Sequence, residues 1–168
     1  MTADFFQLGL GRWIHVMAGV LWVGLLYYFN FVQADALKAA QADGTAAGIT
    51  KHVAPRALLW FRWAAVATWL MGAMLLGDKF DDAFLFKEKA YVPIGVGAWL
   101  GTIMFVNVWA IIWPNQKRIL GISPATDDEK ARARRSAFLA SRINLMLSMP
   151  MLFFMVASGG LFRTALFP

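Results

Sequence analysis

The residue in this sequence best suited to chemistry is a histidine set inside an apolar run. His15 shares a helical face with Gly11, Ala18 and Trp22, at spacings of four, three and four. Small residues on such a face let another helix or a flat macrocycle approach closely. A neutral imidazole there can ligate haem iron or a chlorin magnesium. The plainer reading is a packing histidine satisfied by one neighbouring acceptor. The other histidine, His52, falls just before the second apolar run, at an interfacial position. Most of a membrane thickness would separate it from His15, which argues against a bis-histidine haem within one chain. There is no cysteine, so a disulfide, a thiolate-bound haem, an iron–sulfur cluster and a cysteine-ligated zinc are excluded.

A second stripe is weakly polar. Asn144, Ser148, Met151, Met155 and Ser158 recur at spacings of four, three, four and three and should face the interior of a bundle. Met155 is the thioether that could stand opposite His15 on an iron; the alternative is an apolar core methionine. Arg62, inside the second apolar run, can snorkel to an interface or contact an anion such as a haem propionate. Gly97 and Gly101 form a GxxxG helix-packing pattern. Asn107 could bond across the bundle, and Pro150 should kink the helix that carries it. No pattern supports nucleophilic hydrolysis, phosphate transfer or two-carboxylate chemistry. The apolar runs contain no Asp or Glu, which disfavours an ion pump.

The elements that position these residues are set by composition. The 168 residues are 60% hydrophobic and 15% charged, against about 45–50% and about 25% in a soluble domain. Four segments reach the roughly 17–25 residues that a membrane-spanning helix needs. The expected fold is an all-α integral membrane four-helix bundle. It forms a single domain over residues 1–168, with helices at about 8–31, 57–77, 91–113 and 143–166. The first segment is too long for a signal-peptide core and is read as retained. Trp13, Tyr27, Tyr28, Trp60, Tyr91, Trp113, Phe162 and Phe167 lie near segment ends, where aromatic rings favour the headgroup level.

The net charge of +6 is a matter of topology. The stretches Val32–Arg56 and Pro114–Arg142 must share a side, and together they hold ten of the sixteen Lys and Arg residues. The stretch Asp78–Ala90 balances Lys79, Lys87 and Lys89 with four acids. The positive-inside rule then puts the basic stretches in the cytoplasm and both termini outside, in a bacterial inner membrane. A nucleic-acid partner has no support beyond the high pI. Within the basic stretches, Ala34–Ala47 should extend the first helix until Gly44 breaks it. Ser123-Pro124 could open a short helix, or Thr126 could cap one, with Asp127, Asp128 and Glu129 in its first turn.

Three stretches taken together resemble a known family. RWIHVMAGVLWVGLLYYFNF (Arg12–Phe31), NVWAIIWPNQK (Asn107–Lys117) and SRINLMLSMPMLFFMVAS (Ser141–Ser158) are similar, in that order, to the membrane domain of the urate oxidase N-terminal family, the membrane-bound bacterial urate hydroxylases. The PNQ tripeptide is the most specific piece. The resemblance implies that His15 stands at the family's first-helix histidine, while Ile143 and, approximately, Gly159 occupy places where the family carries further histidines. It also implies a short, stand-alone relative without the family's cytochrome c domain, since no CxxCH is present.

Three functions compete on these grounds. The first is an accessory or structural membrane subunit, set in lipid beside other subunits of an electron-transfer complex or self-associated. The second is a small redox protein holding haem b through His15. The third is a urate hydroxylase-like oxidoreductase that needs a separate cytochrome c.

Overall fold

The computed structural model describes residues 9–159. Among them the secondary structure is all helical. Four long helices succeed one another: α1 Gly11–Ala42, α2 Ala46–Phe84, α3 Lys89–Ile119 and α4 Asp127–Ala157, each long and apolar enough to cross a membrane. The first residue of the expected first helix, the last seven of the expected fourth, Phe162 and Phe167 lie outside the described residues, as do both termini.

The helices outrun the apolar spans that announce them. α1 continues to Ala42 and stops before Gly44, whose φ of +72° suits a residue without Cβ; the break expected there is present. Gly121, at φ +74°, ends the turn after α3 in the same way. The cap expected at Thr126 is also present. Thr126 Oγ1 accepts from the Glu129 N–H at 3.3 Å, and Glu129 Oε2 accepts from the Thr126 N–H at 2.7 Å, the reciprocal capping box. Hydrogen bonding to Thr126 holds the Glu129 carboxyl below the usual carboxylate range. The helix behind this cap is not the short separate one expected. The charged stretch Asp127–Arg142 is the first half of α4, whose 31 residues make a rod about 47 Å long at ~1.5 Å per residue. At the end of the second span, the α geometry breaks at Gly77, after which a 3₁₀ turn, Gly77–Lys79, and a short helical turn, Phe80–Phe84, finish α2.

Three wider π-helical turns interrupt the α geometry, and each has a local cause. In α1 the turn Tyr28–Gln33 contains Asn30, whose Nδ2 donates to the Leu26 carbonyl at 2.8 Å and competes with the backbone ladder. The turns Ile49–Val53 and Val108–Ile112 lie just before Pro55 and Pro114, which lack the N–H that the carbonyls behind them would use. α4 stays helical through Pro150.

α1 packs most extensively on α2, and α3 on α4; lighter contacts of α2 with α3 and of α1 with α4 close the bundle. The core is built from Trp22 and Leu26 of α1, Phe61 and Ala65 of α2, Met104 and Val108 of α3, and Ala140 and Met151 of α4. Large apolar side chains also cover the outside, including Trp13, Val20, Trp60, Met146 and Val156, all at 60% exposure or more. A soluble protein rarely exposes a continuous apolar surface of this kind. At the α2–α3 turn, Gly95 lies under Ala83 so closely that a Cβ would strike the Ala83 carbonyl. The charges of that turn neutralise one another through Lys79–Asp78 at 3.5 Å and Lys87–Asp81 at 3.8 Å. The opposite end, with the 43–45 and 120–126 turns, is the basic end.

Candidate functional site

His15 sits on the face of α1 that also carries Trp22 and Leu26, seven and eleven residues on. Those two are almost fully buried, whereas His15 is half-buried. Ala18, also on the expected face, is half-buried like His15. It lines a shallow outward groove with Trp13, Met17, Leu21 and Gly24.

The His15 imidazole lies against α2. Its Nδ1 is 2.8 Å from the Thr68 carbonyl oxygen. A carbonyl only accepts, so Nδ1 carries a proton, and in the neutral ring Nε2 then holds the lone pair. Gly72, one turn beyond Thr68, makes room for the ring: a Cβ there would stand 3.0 Å from His15 Cε1 and 3.3 Å from Nδ1. One turn along α1, the Cβ position of Gly19 is 3.7 Å from Thr68 Cγ2. The close approach of His15 to α2 thus depends on Gly72, whereas a Cβ at Gly19 would make only ordinary contact with Thr68. Among the described residues, Nε2 has no hydrogen-bond partner.

A polar layer crosses the bundle nearer the basic end. Asn30 Nδ2 donates to Ser141 Oγ at 2.8 Å, tying α1 to α4. Asn107 Nδ2 donates to the Ala140 carbonyl at 2.9 Å and to Asn144 Oδ1 at 2.7 Å, and Asn144 Nδ2 donates to the Met104 carbonyl at 3.1 Å. These bonds bind α3 to α4. Ser148 Oγ lies 3.2 Å from the Tyr27 hydroxyl and 2.7 Å from the Leu145 carbonyl. Asn144 and Ser148 are fully buried and Asn107 nearly so. The cross-bundle role expected of Asn107 and the inward stripe of Asn144 and Ser148 are therefore present. Asn107 Oδ1 and the indole nitrogens of Trp22 and Trp109 are buried without hydrogen-bond partners among the described residues.

The other predicted site residues are dispersed. Met155 is half-buried and seats its methyl against α3, where Cε is 3.3 Å from the Cβ position of Gly97. Gly97 is thus a point of close helix approach. At Gly101 none of the described residues lies within 4 Å of the Cβ position, so that end of the expected GxxxG face is open within this chain. Arg62 stacks on Trp113 of α3, with Cζ 3.8 Å from the ring centroid. His52 precedes Thr68 by sixteen residues of helical α2, about 24 Å along the axis at ~1.5 Å per residue. Among the described residues no group of three His, Cys, Asp or Glu side chains could hold a metal ion.

A haem fits this arrangement only in part. His15 has the tautomer of a histidine ligand, with Nδ1–H held by a backbone carbonyl, and could supply one axial bond. His52 is too distant to share that iron. Thr68 and Gly72, which orient His15, were missed in the sequence, as was Asn30. A Gly four residues after a Thr, in a helix able to face α1, was the available signal for the first two. A lone Asn in the aromatic run YYFNF was the signal for the third.

Comparison with known proteins adds one relationship. Residues 80–160 match the urate oxidase N-terminal family. The resemblance read from the sequence is shown over this stretch, which takes in Asn107–Lys117, Ser141–Ser158 and the α3–α4 polar layer. His15 lies outside it. No curated protein and no solved structure matches the chain.

Proposed function

We propose that this is an integral membrane subunit of the bacterial inner membrane, an accessory or structural component of a larger electron-transfer complex. In this reading it is a single four-span domain with the basic end in the cytoplasm and both termini outside. The observation that carries the reading is the use made of the interior polar groups. Asn30, Asn107, Asn144 and Ser148 all direct hydrogen bonds between helices, and His15 Nδ1 does the same toward Thr68. An interior used in this way builds a scaffold. The apolar exterior suits lipid and neighbouring membrane subunits, and the excess of Lys and Arg at the basic end supports its orientation. Mild-detergent purification tests the role. A stoichiometric membrane partner supports it, and a chain that is recovered alone and monomeric overturns it.

A second reading is favoured by one observation, that His15 Nε2 has no hydrogen-bond partner among the described residues. In this reading the chain is a small redox protein, and His15 holds haem b while Thr68 and Gly72 fix the ring. The haem would supply one-electron transfer. A Soret band lost in His15→Ala supports this reading, and a haem-free preparation refutes it. The family relationship alone does not carry urate oxidation to this chain.

A further inference from the structure

We propose that Arg62, Trp113 and Lys117 form a binding site for the phosphodiester headgroup of an anionic phospholipid, in the groove between α2 and α3 at the basic end. The site has its own geometry, away from His15. Trp109, Trp113 and Lys117 recur every four residues and lie along one side of α3. Across from them, α2 presents Arg62 and Trp63. The Arg62 guanidinium covers the Trp113 ring at 3.8 Å, and Lys117 Nζ lies 6.0 Å from the same centroid. Two cations from two helices therefore converge on one indole. Neither has a carboxylate: among the described residues the ion pairs are made by Lys79, Lys87 and Lys130. Arg62, Trp113 and Lys117 are each half-buried, and neither cation meets a counter-charge among the described residues.

The surroundings identify the anion. Directly beside the cations, Trp63 packs edge-on against Trp109 with centroids 5.6 Å apart, and Trp63 is 54% exposed. An indole wall joined to a cationic rim matches an acyl chain joined to a phosphate. The planar guanidinium suits two phosphate oxygens, and tryptophan favours the headgroup level. Arg62 lies five residues inside the start of the apolar span at Ala57, about 7–8 Å of helix, so its side chain reaches that level by snorkelling. Basic pockets between helices on the cytoplasmic face are where anionic headgroups bind.

This inference rests on the membrane reading. The test uses the full chain in nanodiscs containing phosphatidylglycerol and phosphatidylcholine, with bound lipid counted by native mass spectrometry. The wild type should retain phosphatidylglycerol in preference to phosphatidylcholine. R62Q/K117Q should weaken that retention by roughly tenfold or more. K38Q/K51Q, which removes equal charge at the same end, should leave it intact, and R62K/K117R should restore most of it in a folded protein. Equal loss in the two glutamine variants, or equal retention of the two lipids by the wild type, overturns the site. Displacement of the lipid by inorganic phosphate alone would assign the site to the free anion and overturn it as well. If alkaline carbonate releases the protein without detergent, the membrane reading itself fails. A detergent-requiring protein with no lipid preference sinks the site alone.

Discussion

Asn144 is the residue whose replacement should reveal most about what holds the bundle. It is fully buried, its Oδ1 accepts from Asn107 and its Nδ2 donates to the Met104 carbonyl. Hydrogen bonds between helices in a membrane contribute about 0.6 kcal/mol on average and up to about 1.7 kcal/mol. Asn144→Ala removes two of them, about 1.2 kcal/mol at the average value, and leaves a cavity whose cost adds to that figure. Asn107→Ala also removes two bonds, to Ala140 and Asn144. It simultaneously removes Asn107 Oδ1, which is buried without a hydrogen-bond partner among the described residues. The same change takes the donor away from the buried Asn144 Oδ1, so one unsatisfied acceptor, costing about 1–3 kcal/mol, replaces another. The two single changes should therefore cost similar amounts, and they share one hydrogen bond.

The assay is reversible unfolding in mixed micelles, driven by rising SDS and monitored by tryptophan emission, on both single variants and the double variant. The cycle cancels the single-site cavity terms and isolates the Asn107–Asn144 coupling. The expected coupling is about 0.6–1.7 kcal/mol. Additive single effects would refute the assignment of this pair as the α3–α4 clasp.

Gly72→Val should push the His15 ring off Thr68 and destabilise the fold by roughly 1–3 kcal/mol; loss of the fixed Nδ1–H tautomer in imidazole nitrogen NMR checks it. Gly95→Ala should cost stability because its Cβ meets the Ala83 carbonyl, whereas Gly101→Ala, facing open space, should stay near the wild type in the same SDS titration. Thr126→Ala should cost about 1 kcal/mol through loss of the α4 cap. The Glu129 half of that cap has its own pH dependence. Its carboxyl is held below the unfolded value of about 4.3, so its contribution is complete above that pH and fades as pH falls through the folded value. Helicity of α4 measured by circular dichroism from neutral to acid pH should show fraying in wild type that Glu129→Gln largely removes.

The four helices were legible because apolar residues persist for more than a span in each. Their full lengths were not. Ala34–Ala42 and Asp127–Arg142 are polar enough to read as connectors, and they are helical because they continue packed helices, one of them behind a strong cap. Gly44 and Thr126 were legible since their roles depend on local backbone chemistry. The inward placement of Asn144 and Ser148 was readable from helical spacing. The partners of His15 were not, because spacing within α1 says nothing about which residue of α2 lies opposite. Gly97 and Gly101 show the same limit. The motif names both glycines, but spacing does not say that Met155 of α4 reaches Gly97 while no described residue reaches Gly101.

The proposal that the chain is a scaffolding subunit, with His15 held in packing by Thr68, is tested most directly by the visible spectrum of the pure protein, oxidised and reduced. The account predicts a colourless protein with no Soret or α band, recovered with a stoichiometric membrane partner. A reduced-minus-oxidised haem spectrum that disappears in His15→Ala would contradict it.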